Sequence, residues 1–234
     1  MVLPARRDDL SQVAVFWPEA SNRAKALNYP RGWVLMHAME RVAAAALLFL
    51  FSPFLVAIAF VIMAFSGKSP LVAHRRVGQN GAALWVLKLR TMWPSSRAKG
   101  RCSTWIEYLV ETDVPETKAG SDPRVTSRFA AFLRKYSIDE LPQLLHVLLG
   151  DMALVGPRPL TRTELSKYYG THVAEVTQMR PGLTGLWQIK GRNRLSYRQR
   201  LRLDSFLVRN FCLLLYLKIL FRTPALVLSG RDAW

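Results

Sequence analysis

The run VAAAALLFLFSPFLVAIAFVIMAF, residues 42–65, contains no charged side chain and dominates the architecture of the chain. As a helix that rises about 1.5 Å per residue, it exceeds the roughly 20 apolar residues that cross a hydrocarbon core. It is too long for a signal-peptide core, it begins far from Met1, and no small-residue cleavage site follows it. The run therefore predicts a retained membrane anchor.

Two features of this anchor argue against a plain crossing. Ser52 and Pro53 lie near its middle, where proline removes a backbone donor and bends the helix, and the Ser hydroxyl can satisfy a freed carbonyl. Basic residues flank both ends, so the positive-inside rule gives no direction of crossing. A helix that breaks at Ser52 and Pro53 and returns to the cytoplasmic face explains both features. A kinked helix that crosses the membrane is the alternative.

The composition of the chain combines a large positive charge with a high apolar content, and this combination limits the kinds of partner that the chain can bind. The chain carries 33 Lys and Arg against 16 Asp and Glu, a net charge of +17, yet 50% of its 234 residues are hydrophobic. A disordered basic tail lacks such apolar content, so the charge indicates a folded chain that meets a polyanion or an anionic membrane surface. Cys102 and Cys212 alone give no disulfide framework.

Local patterns predict elements on both sides of a polar segment. Residues 67–92 hold two apolar runs around Gln79-Asn80-Gly81, which predicts a hairpin, and residues 94–123 predict a loop with at most one short helix. Thr126 or Ser127 can cap a following helix. A second helix is expected over residues 139–149 and stops at Gly150. His146 lies among its leucines as a core residue.

The sequence Ser137-Ile138-Asp139-Glu140 stands at the expected start of that second helix. It fits a capping box, in which Ser caps the helix and Glu reaches back to it. It equally fits an active site, because a helix N-terminus keeps a carboxylate ionised and directs N–H groups toward an anion. In that case Asp139 attacks a phosphoryl group, and Glu140 holds a divalent cation or takes a proton.

Basic side chains near this pair favour a pyrophosphate site. Lys88 and Arg90 lie on one side of an alternating strand, and Arg134 precedes the pair by about one helical turn. Arg158 and Arg180 lie beside prolines that stiffen their loops, where a guanidinium can form a bidentate pair with phosphate. Because the chain has no GxxxxGK[ST] or GxGxxG motif, side chains must hold any nucleotide.

The C-terminal segment leaves two possibilities open. Residues 211–228 are apolar but are broken by Lys218, Arg222 and Pro224, which makes them a poor spanning helix. They suit either an interfacial helix in the headgroup plane or a core helix of the soluble domain.

Several segments resemble the bacterial sugar transferases that prime surface polysaccharides, the monotopic polyprenyl-phosphate phosphoglycosyl transferases. The central segment is DPRVTSRFAAFLRKYSIDELPQLLHVLLGDMALVGPRP, residues 122–159. KLRTM precedes it at residues 88–92, and RPGLTGLWQIKGRN follows it at residues 180–193. AHRRVG, residues 73–78, is most similar to the branch that starts exopolysaccharide synthesis.

This resemblance implies a covalent mechanism at the cytoplasmic face of the bacterial inner membrane. Asp139 and Glu140 match the catalytic dyad of the family, which also binds Mg²⁺. In the family the Asp attacks the β-phosphate of a UDP-sugar, releases UMP and holds the sugar phosphate until undecaprenyl phosphate accepts it. The phosphate-binding positions of the family fall on Lys88, Arg90, Arg134 and Arg158, and Asp204 matches a further position. The subfamily suggests UDP-galactose or UDP-glucose as donor.

We therefore expect an α+β, mostly helical, monotopic membrane protein. Its parts are an N-terminal extension (residues 1–30), a re-entrant membrane helix-hairpin (31–66) and a small cytoplasmic catalytic domain (67–234) with a short β-hairpin and an interfacial C-terminal helix. Expected partners are a UDP-sugar, undecaprenyl phosphate and inner-membrane lipids, and a homo-oligomer is compatible with the sequence.

Two other functions are alternatives: a catalytically inactive scaffold of a polysaccharide assembly complex, and a membrane-tethered nucleic-acid binder. The intact dyad argues against the scaffold. Nucleic-acid binding is disfavoured because most aromatic residues lie in apolar runs and not among the arginines, and because the acidic dyad would repel phosphates without a metal. No nucleic acid is therefore expected among the partners.

Overall fold

The computed structural model describes residues 31–92, 104–109 and 127–230. These residues form mostly helices with two small sheets, which confirms the α+β class. The predicted N-terminal extension, residues 1–30, lies outside the described residues, as does most of the polar segment 94–123.

The apolar run lies in helix α1, Arg31–Ser66, which continues through Pro53. Its part Trp33–Ser66 is long and apolar enough to cross a membrane by length and composition. The hydroxyl of Ser52 donates to the carbonyl of Phe49 at 2.9 Å. This carbonyl is the one that an N–H at position 53 would have served, so the predicted compensation for the proline is confirmed.

Both halves of α1 pack on the same domain. Before Pro53, Ala44 belongs to an apolar cluster that includes Val86 and Met152. After Pro53, Ile62 belongs to a second cluster that includes Leu133. Near the proline, large side chains are exposed instead: Phe49, Leu50 and Phe54. The helix therefore buries residues against the domain on both sides of Pro53, whereas its middle is only partly covered.

A three-stranded sheet follows α1. Strands β1, Leu71–Val77, and β2, Ala83–Leu89, pair antiparallel and are joined by a 3₁₀ turn at Gln79–Gly81, which confirms the predicted hairpin. Strand β3, Ile106–Leu109, pairs parallel with β1, so part of the predicted loop is a strand. A strand this short carries little periodicity of its own, and its pairing with β1 depends on distant residues.

Helix α2, Arg128–Lys135, is capped by Ser127, whose hydroxyl accepts the N–H of Phe129 at 3.2 Å. The chain then forms a 3₁₀ turn, Ile138–Gln143, before helix α3, Leu144–Leu149. The second predicted helix therefore begins as a 3₁₀ turn and not as an α-helix; Pro142 lies inside this turn and has no N–H for a helical hydrogen bond. Gly150 ends α3 with φ 90°, as predicted.

A second, two-stranded sheet pairs β4, Ala153–Val155, in parallel with β5, Gly182–Thr184. A Cβ at Gly182 would collide with the backbone of Gly156, so the ends of these strands approach closely only because both residues are glycine. The remaining helices are α4 Arg162–Glu164, α5 Val173–Val176, α6 Leu186–Lys190, α7 Tyr197–Arg209 and α8 Leu213–Ser229, with a π-helical turn at Leu165–Tyr169 and 3₁₀ turns at Gly170–His172 and Arg192–Arg194.

The C-terminal helix α8 has two different faces. Tyr216 and Ile219 are buried in a cluster with Val155 and Met36. The other face exposes large apolar side chains, Leu213, Leu214, Phe221 and Leu228. The core alternative for residues 211–228 therefore applies to one face of the helix, and the opposite face is apolar and exposed, as the interfacial alternative requires.

Candidate active site

The dyad stands in the 3₁₀ turn that follows α2. Ser137 adopts a left-handed conformation, with φ 53°, and its hydroxyl does not cap the next turn. Instead it accepts a hydrogen bond from Arg192 Nη2 at 3.4 Å. The carboxylate of Glu140 bonds to residues outside the turn, so the capping-box interpretation is wrong. Neither Asp139 nor Glu140 is therefore needed to cap this turn.

Glu140 is held by two cations at a single oxygen. Lys88 Nζ, from β2, and Arg158 Nη2, from the loop after β4, each donate to Glu140 Oε1 at 2.8 Å. Burial opposes ionisation of this carboxyl, but the charges and hydrogen bonds of Arg158 and Lys88 outweigh it and hold its pKa well below the usual range. Glu140 is therefore a fixed anion that orients both cations.

The pKa of Asp139 shifts in the opposite direction from that of Glu140, although the same cations lie near both carboxyls. Its side chain is buried, and burial raises its pKa to about 6, while the charge of Lys88 lowers it and that of Glu140 raises it again. The sequence predicted that a helix N-terminus would keep Asp139 ionised. The structure has a short 3₁₀ turn there, and the cations Lys88, Arg134 and Arg158 supply the favourable field instead.

Backbone hydrogen bonds to strand β5 fix the loop that carries Arg158. Gly156 N donates to Thr184 O at 2.9 Å, and Gly182 N donates to Pro157 O at 2.8 Å. The guanidinium of Arg158 lies 5.8 Å from the ring centre of Trp187, whose ring also faces Arg200 at 4.6 Å. Cation–π attraction at such distances helps to fix the direction of the Arg158 side chain.

Two predicted phosphate-binding residues lie elsewhere. Arg90 pairs with Glu107 on the β3 edge, and its Nε donates to Ser69 O at 2.7 Å. Arg180 lies half-buried where the Pro181-Gly182 turn meets Gly156, and its backbone carbonyl contacts that glycine position. The structure does not bring either side chain into the described contacts of the dyad.

The other two predicted residues are deeply placed. Arg134 is buried at the end of α2, where its charge favours the ionised form of Asp139. Asp204 on α7 is fully buried and accepts the hydroxyl of Tyr169 at 2.9 Å. Burial raises the pKa of Asp204 to about 8, so this carboxyl is protonated and uncharged at pH 7.

Three residues near the site were missed by the sequence reasoning: Trp187, Arg192 and Arg200. Arg192 has φ 43° and contacts Ser137, and Trp187 is buried with the guanidinium groups of Arg158 and Arg200 near its ring. The segment that holds the first two was noted only for its resemblance to the family. His146 is the core residue that was predicted, since its Nε2 accepts the backbone N–H of Leu87 at 3.2 Å.

Comparison with known proteins shows the family of the chain. The family model described as bacterial sugar transferase matches residues 31–230. The exopolysaccharide production protein ExoY of Rhizobium meliloti (strain 1021) is 40% identical over 220 residues, which cover 92% of this chain and 93% of that protein.

Two further relatives are named for a reaction. The UDP-glucose:undecaprenyl-phosphate glucose-1-phosphate transferase of Caulobacter vibrioides is 40% identical over 204 residues, 84% of this chain and 70% of the relative. The undecaprenyl-phosphate galactose phosphotransferase of Salmonella typhimurium is 35% identical over 206 residues, 86% of this chain, but the chain spans 42% of that longer protein. These comparisons confirm the family and the class of enzyme predicted from the sequence: the chain belongs to the bacterial sugar transferase family.

Proposed function

We propose that the chain transfers a sugar 1-phosphate from a UDP-sugar to undecaprenyl phosphate, in the first membrane step of exopolysaccharide synthesis. The observation that carries this proposal is the double hydrogen bond of Lys88 and Arg158 to Glu140, beside Asp139. Within the described residues, no ion pair engages Asp139 itself. The arrangement offers an unpaired carboxylate next to fixed positive charge, which suits attack on a pyrophosphate.

In the first half-reaction, a carboxylate oxygen of Asp139 forms a bond to the β-phosphorus of the UDP-sugar. The bond between that phosphorus and the oxygen that bridges the two phosphates breaks, and UMP leaves with the bridging oxygen and its electron pair. Lys88 and Arg158 balance the negative charge that collects on the phosphate oxygens during this step. The sugar phosphate stays on Asp139 as an acyl phosphate.

In the second half-reaction, a phosphate oxygen of undecaprenyl phosphate forms a bond to the same phosphorus. The bond from phosphorus to the Asp139 oxygen breaks, which regenerates the carboxylate and leaves an undecaprenyl diphosphosugar. Splitting the transfer into two displacements lets one cationic site serve both substrates in turn. Galactose and glucose are both candidate sugars, since relatives are named for each.

The donor groups of the dyad fit Mg²⁺. Within the described part of the chain, no group of three or more His, Cys, Asp or Glu residues could hold a metal, so the protein offers the two carboxylates of Asp139 and Glu140. Mg²⁺ commonly binds through one or two carboxylates, with substrate phosphates and water as its other ligands. When bound there, it would neutralise charge on the pyrophosphate.

The same proposal includes a re-entrant helix α1. Its first half is fixed to the domain by Glu40, which accepts hydrogen bonds from Leu154 N and Tyr216, and its second half packs against α2 through Ile62. A helix that crossed the membrane would carry one of these contacts to the far side. The exposed apolar middle around Pro53 then enters the bilayer, and the uncovered face of α8 lies at its surface. The catalytic domain stands at the cytoplasmic face of the inner membrane.

The covalent step can be tested with membranes that contain the chain, Mg²⁺, and UDP-galactose or UDP-glucose labelled in the β-phosphate. We expect label on the protein and release of UMP from the wild type, and a loss of several powers of ten in both for Asp139→Asn. Asp151→Asn is the matched control, because Asp151 has a half-exposed side chain away from the dyad. Equal labelling of Asp139→Asn and wild type would overturn the covalent mechanism, as would an unlabelled wild type that still transfers sugar phosphate.

The topology has its own test. In a chain with Cys102 and Cys212 replaced by serine, a single cysteine is placed at Val34, before the uncharged run of residues 42–65, or at Ala83, after it; both positions are exposed. Labelling of both from the cytoplasmic side with a membrane-impermeant reagent is the expected result. Labelling from opposite sides would show that α1 crosses the membrane.

A further inference from the structure

A cavity of about 400 Å³ opens beside the dyad. Its polar lining includes Glu140, together with the guanidinium-bearing residues Arg134, Arg158 and Arg192. Leu47 and Phe51 of α1 and Leu220 and Val227 of α8 form much of its apolar lining. The cavity thus extends from Glu140 of the dyad to the two helices that carry exposed apolar faces.

The apolar lining of the cavity lies near the proline of each of the two helices. Phe51 immediately precedes Ser52 and Pro53, so the cavity reaches the part of α1 next to its proline. Pro224 lines the α8 side, where the hydroxyl of Thr223 donates to Ile219 O at 2.8 Å. A ligand in this cavity therefore contacts α8 at Pro224 and α1 at Phe51, two positions before Pro53.

The lining selects a ligand with an anionic head and an apolar body. A UDP-sugar has no aliphatic chain, and only its uracil ring presents an apolar face, so the leucine and valine side chains offer it little. A lipid phosphate has both properties, and burial of its first isoprene units removes apolar surface from water. The arginines near the dyad match its phosphate in charge and can form bidentate hydrogen bonds with it.

We propose that this cavity binds the phosphate-bearing end of the polyprenyl phosphate acceptor. The first isoprene units pack against Leu47, Phe51 and Val227, and the phosphate faces Arg158 and Arg192. The inference rests on the proposed function, because it assigns a place to the second substrate of that reaction. A volume of about 400 Å³ lies near the lower end of small-ligand pockets, about 300–1,000 Å³, so only the head and the first units enter and the remaining chain stays in the bilayer.

Tryptophan substitutions test the cavity by filling it. Val227→Trp fills the α8 side, and its control is Leu228→Trp at the next position, which is 75% exposed and does not line the cavity. Leu47→Trp fills the α1 side, and its control is Leu50→Trp, which is 67% exposed. The two pairs lie on different helices, so one pair remains informative if a variant of the other fails to fold.

The two half-reactions are measured separately. Formation of the labelled protein from the UDP-sugar reports the first, and transfer of that label to undecaprenyl phosphate in detergent micelles reports the second. We expect both cavity variants to form label at the wild-type rate and to raise the KM for undecaprenyl phosphate about tenfold or more, equivalent to about 1.4 kcal/mol. The control variants should keep the wild-type KM.

A measurement on the wild type needs no substitution. Farnesyl phosphate, which has an anionic head and only the first isoprene units, should compete with undecaprenyl phosphate in the second half-reaction, whereas farnesol should not. The inference would be overturned if Leu47→Trp and Val227→Trp both kept the wild-type KM for undecaprenyl phosphate. A raised KM for the UDP-sugar in label formation would assign the cavity to the nucleotide and also overturn it. An unlabelled wild type that fails to release UMP would instead refute the proposed function.

Discussion

The hydroxyl of Tyr216 donates a hydrogen bond to Glu40 Oε1 at 2.9 Å, although 176 positions separate the two residues. The same oxygen accepts the backbone N–H of Leu154 at 2.9 Å, and Glu40 is only 3% exposed. One buried carboxylate therefore connects α1, β4 and α8. Because β4 leads into the loop of Arg158, this contact fixes the apolar helix to the strand that precedes that loop.

Replacing Glu40 should destabilise the whole domain. Glu40→Ala leaves the N–H of Leu154 and the hydroxyl of Tyr216 without their acceptor, which costs about 1–3 kcal/mol for a buried polar group. We expect a thermal unfolding midpoint several degrees below that of the wild type in detergent micelles. Glu40→Gln keeps an acceptor oxygen and should lose less.

The control for this prediction is Glu175→Ala. Glu175 pairs with Arg209, whose side chain is 63% exposed, and surface ion pairs contribute roughly 0–1 kcal/mol. The unfolding midpoint of this variant should stay close to that of the wild type. Equal midpoints for Glu40→Ala and Glu175→Ala would contradict the connecting role of Glu40.

Lys88 and Arg158 should act as one unit in the first half-reaction. Both donate to the same oxygen of Glu140, so removal of either cation disturbs the other. We expect Lys88→Met and Arg158→Gln each to lower the rate of label formation by about 10²-fold or more, and the double variant to lose less than the product of the two. Arg128→Gln, at an exposed position on α2, should keep the wild-type rate. Strictly additive losses would show that the two cations act independently.

Trp187 should position Arg158 through its ring. Trp187→Leu removes the π face that lies 5.8 Å from Arg158 and 4.6 Å from Arg200, whereas Trp187→Phe keeps an aromatic face. With cation–π attraction worth about 1 kcal/mol, the leucine variant should lose about fivefold in kcat/KM for the UDP-sugar and the phenylalanine variant clearly less. Equal losses in the two variants would assign Trp187 a packing role only.

The features that were predictable from sequence rest on local signals. Gln79-Asn80-Gly81 specifies a turn, Gly150 ends a helix with positive φ, and Ser52 precedes the proline whose lost hydrogen bond it offsets. Each of these depends on residues within a few positions of one another. The dyad itself was visible because Asp139 and Glu140 are adjacent in the chain.

The features that escaped prediction depend on distant residues. Arg90 lies two positions after Lys88, yet it turns to Glu107, which the parallel pairing of β3 with β1 brings near. Ser137 and Glu140 have the spacing of a capping box, but partners from other elements, Arg192 and Lys88 among them, bind both side chains. Spacing along the chain cannot show such competition, because the competing groups arrive only with the tertiary fold.

Asp204 should make stability depend on pH. Its pKa is raised to about 8 by burial in the folded chain, against about 3.9 in an unfolded one. Between these values the folded chain keeps a proton that the unfolded chain releases, so the free energy of unfolding falls as pH rises, by at most about 1.36 kcal/mol per pH unit. Unfolding midpoints between pH 5 and pH 8 measure this slope.

Asp204→Asn isolates the contribution of this carboxyl. The amide keeps an acceptor for the hydroxyl of Tyr169 but does not ionise, so the decrease in stability with rising pH should become shallower. The side chain of Asp151 is 53% exposed, so Asp151→Asn should show the same dependence of stability on pH as the wild type. An unchanged slope in Asp204→Asn would show that this carboxyl does not carry the pH dependence.

Removal of divalent cations should stop the first half-reaction. Asp139 and Glu140 place two carboxylates side by side, and a pyrophosphate adds further negative charge that Lys88 and Arg158 only partly offset. EDTA should therefore abolish label formation, and added Mg²⁺ should restore it. Glu140→Gln removes one of the two carboxylates, so this variant should need a higher Mg²⁺ concentration for half-maximal labelling, whereas Asp151→Asn should need the same concentration as the wild type. Full labelling in EDTA would mean that the protein's own cations suffice, and that the dyad acts without a metal.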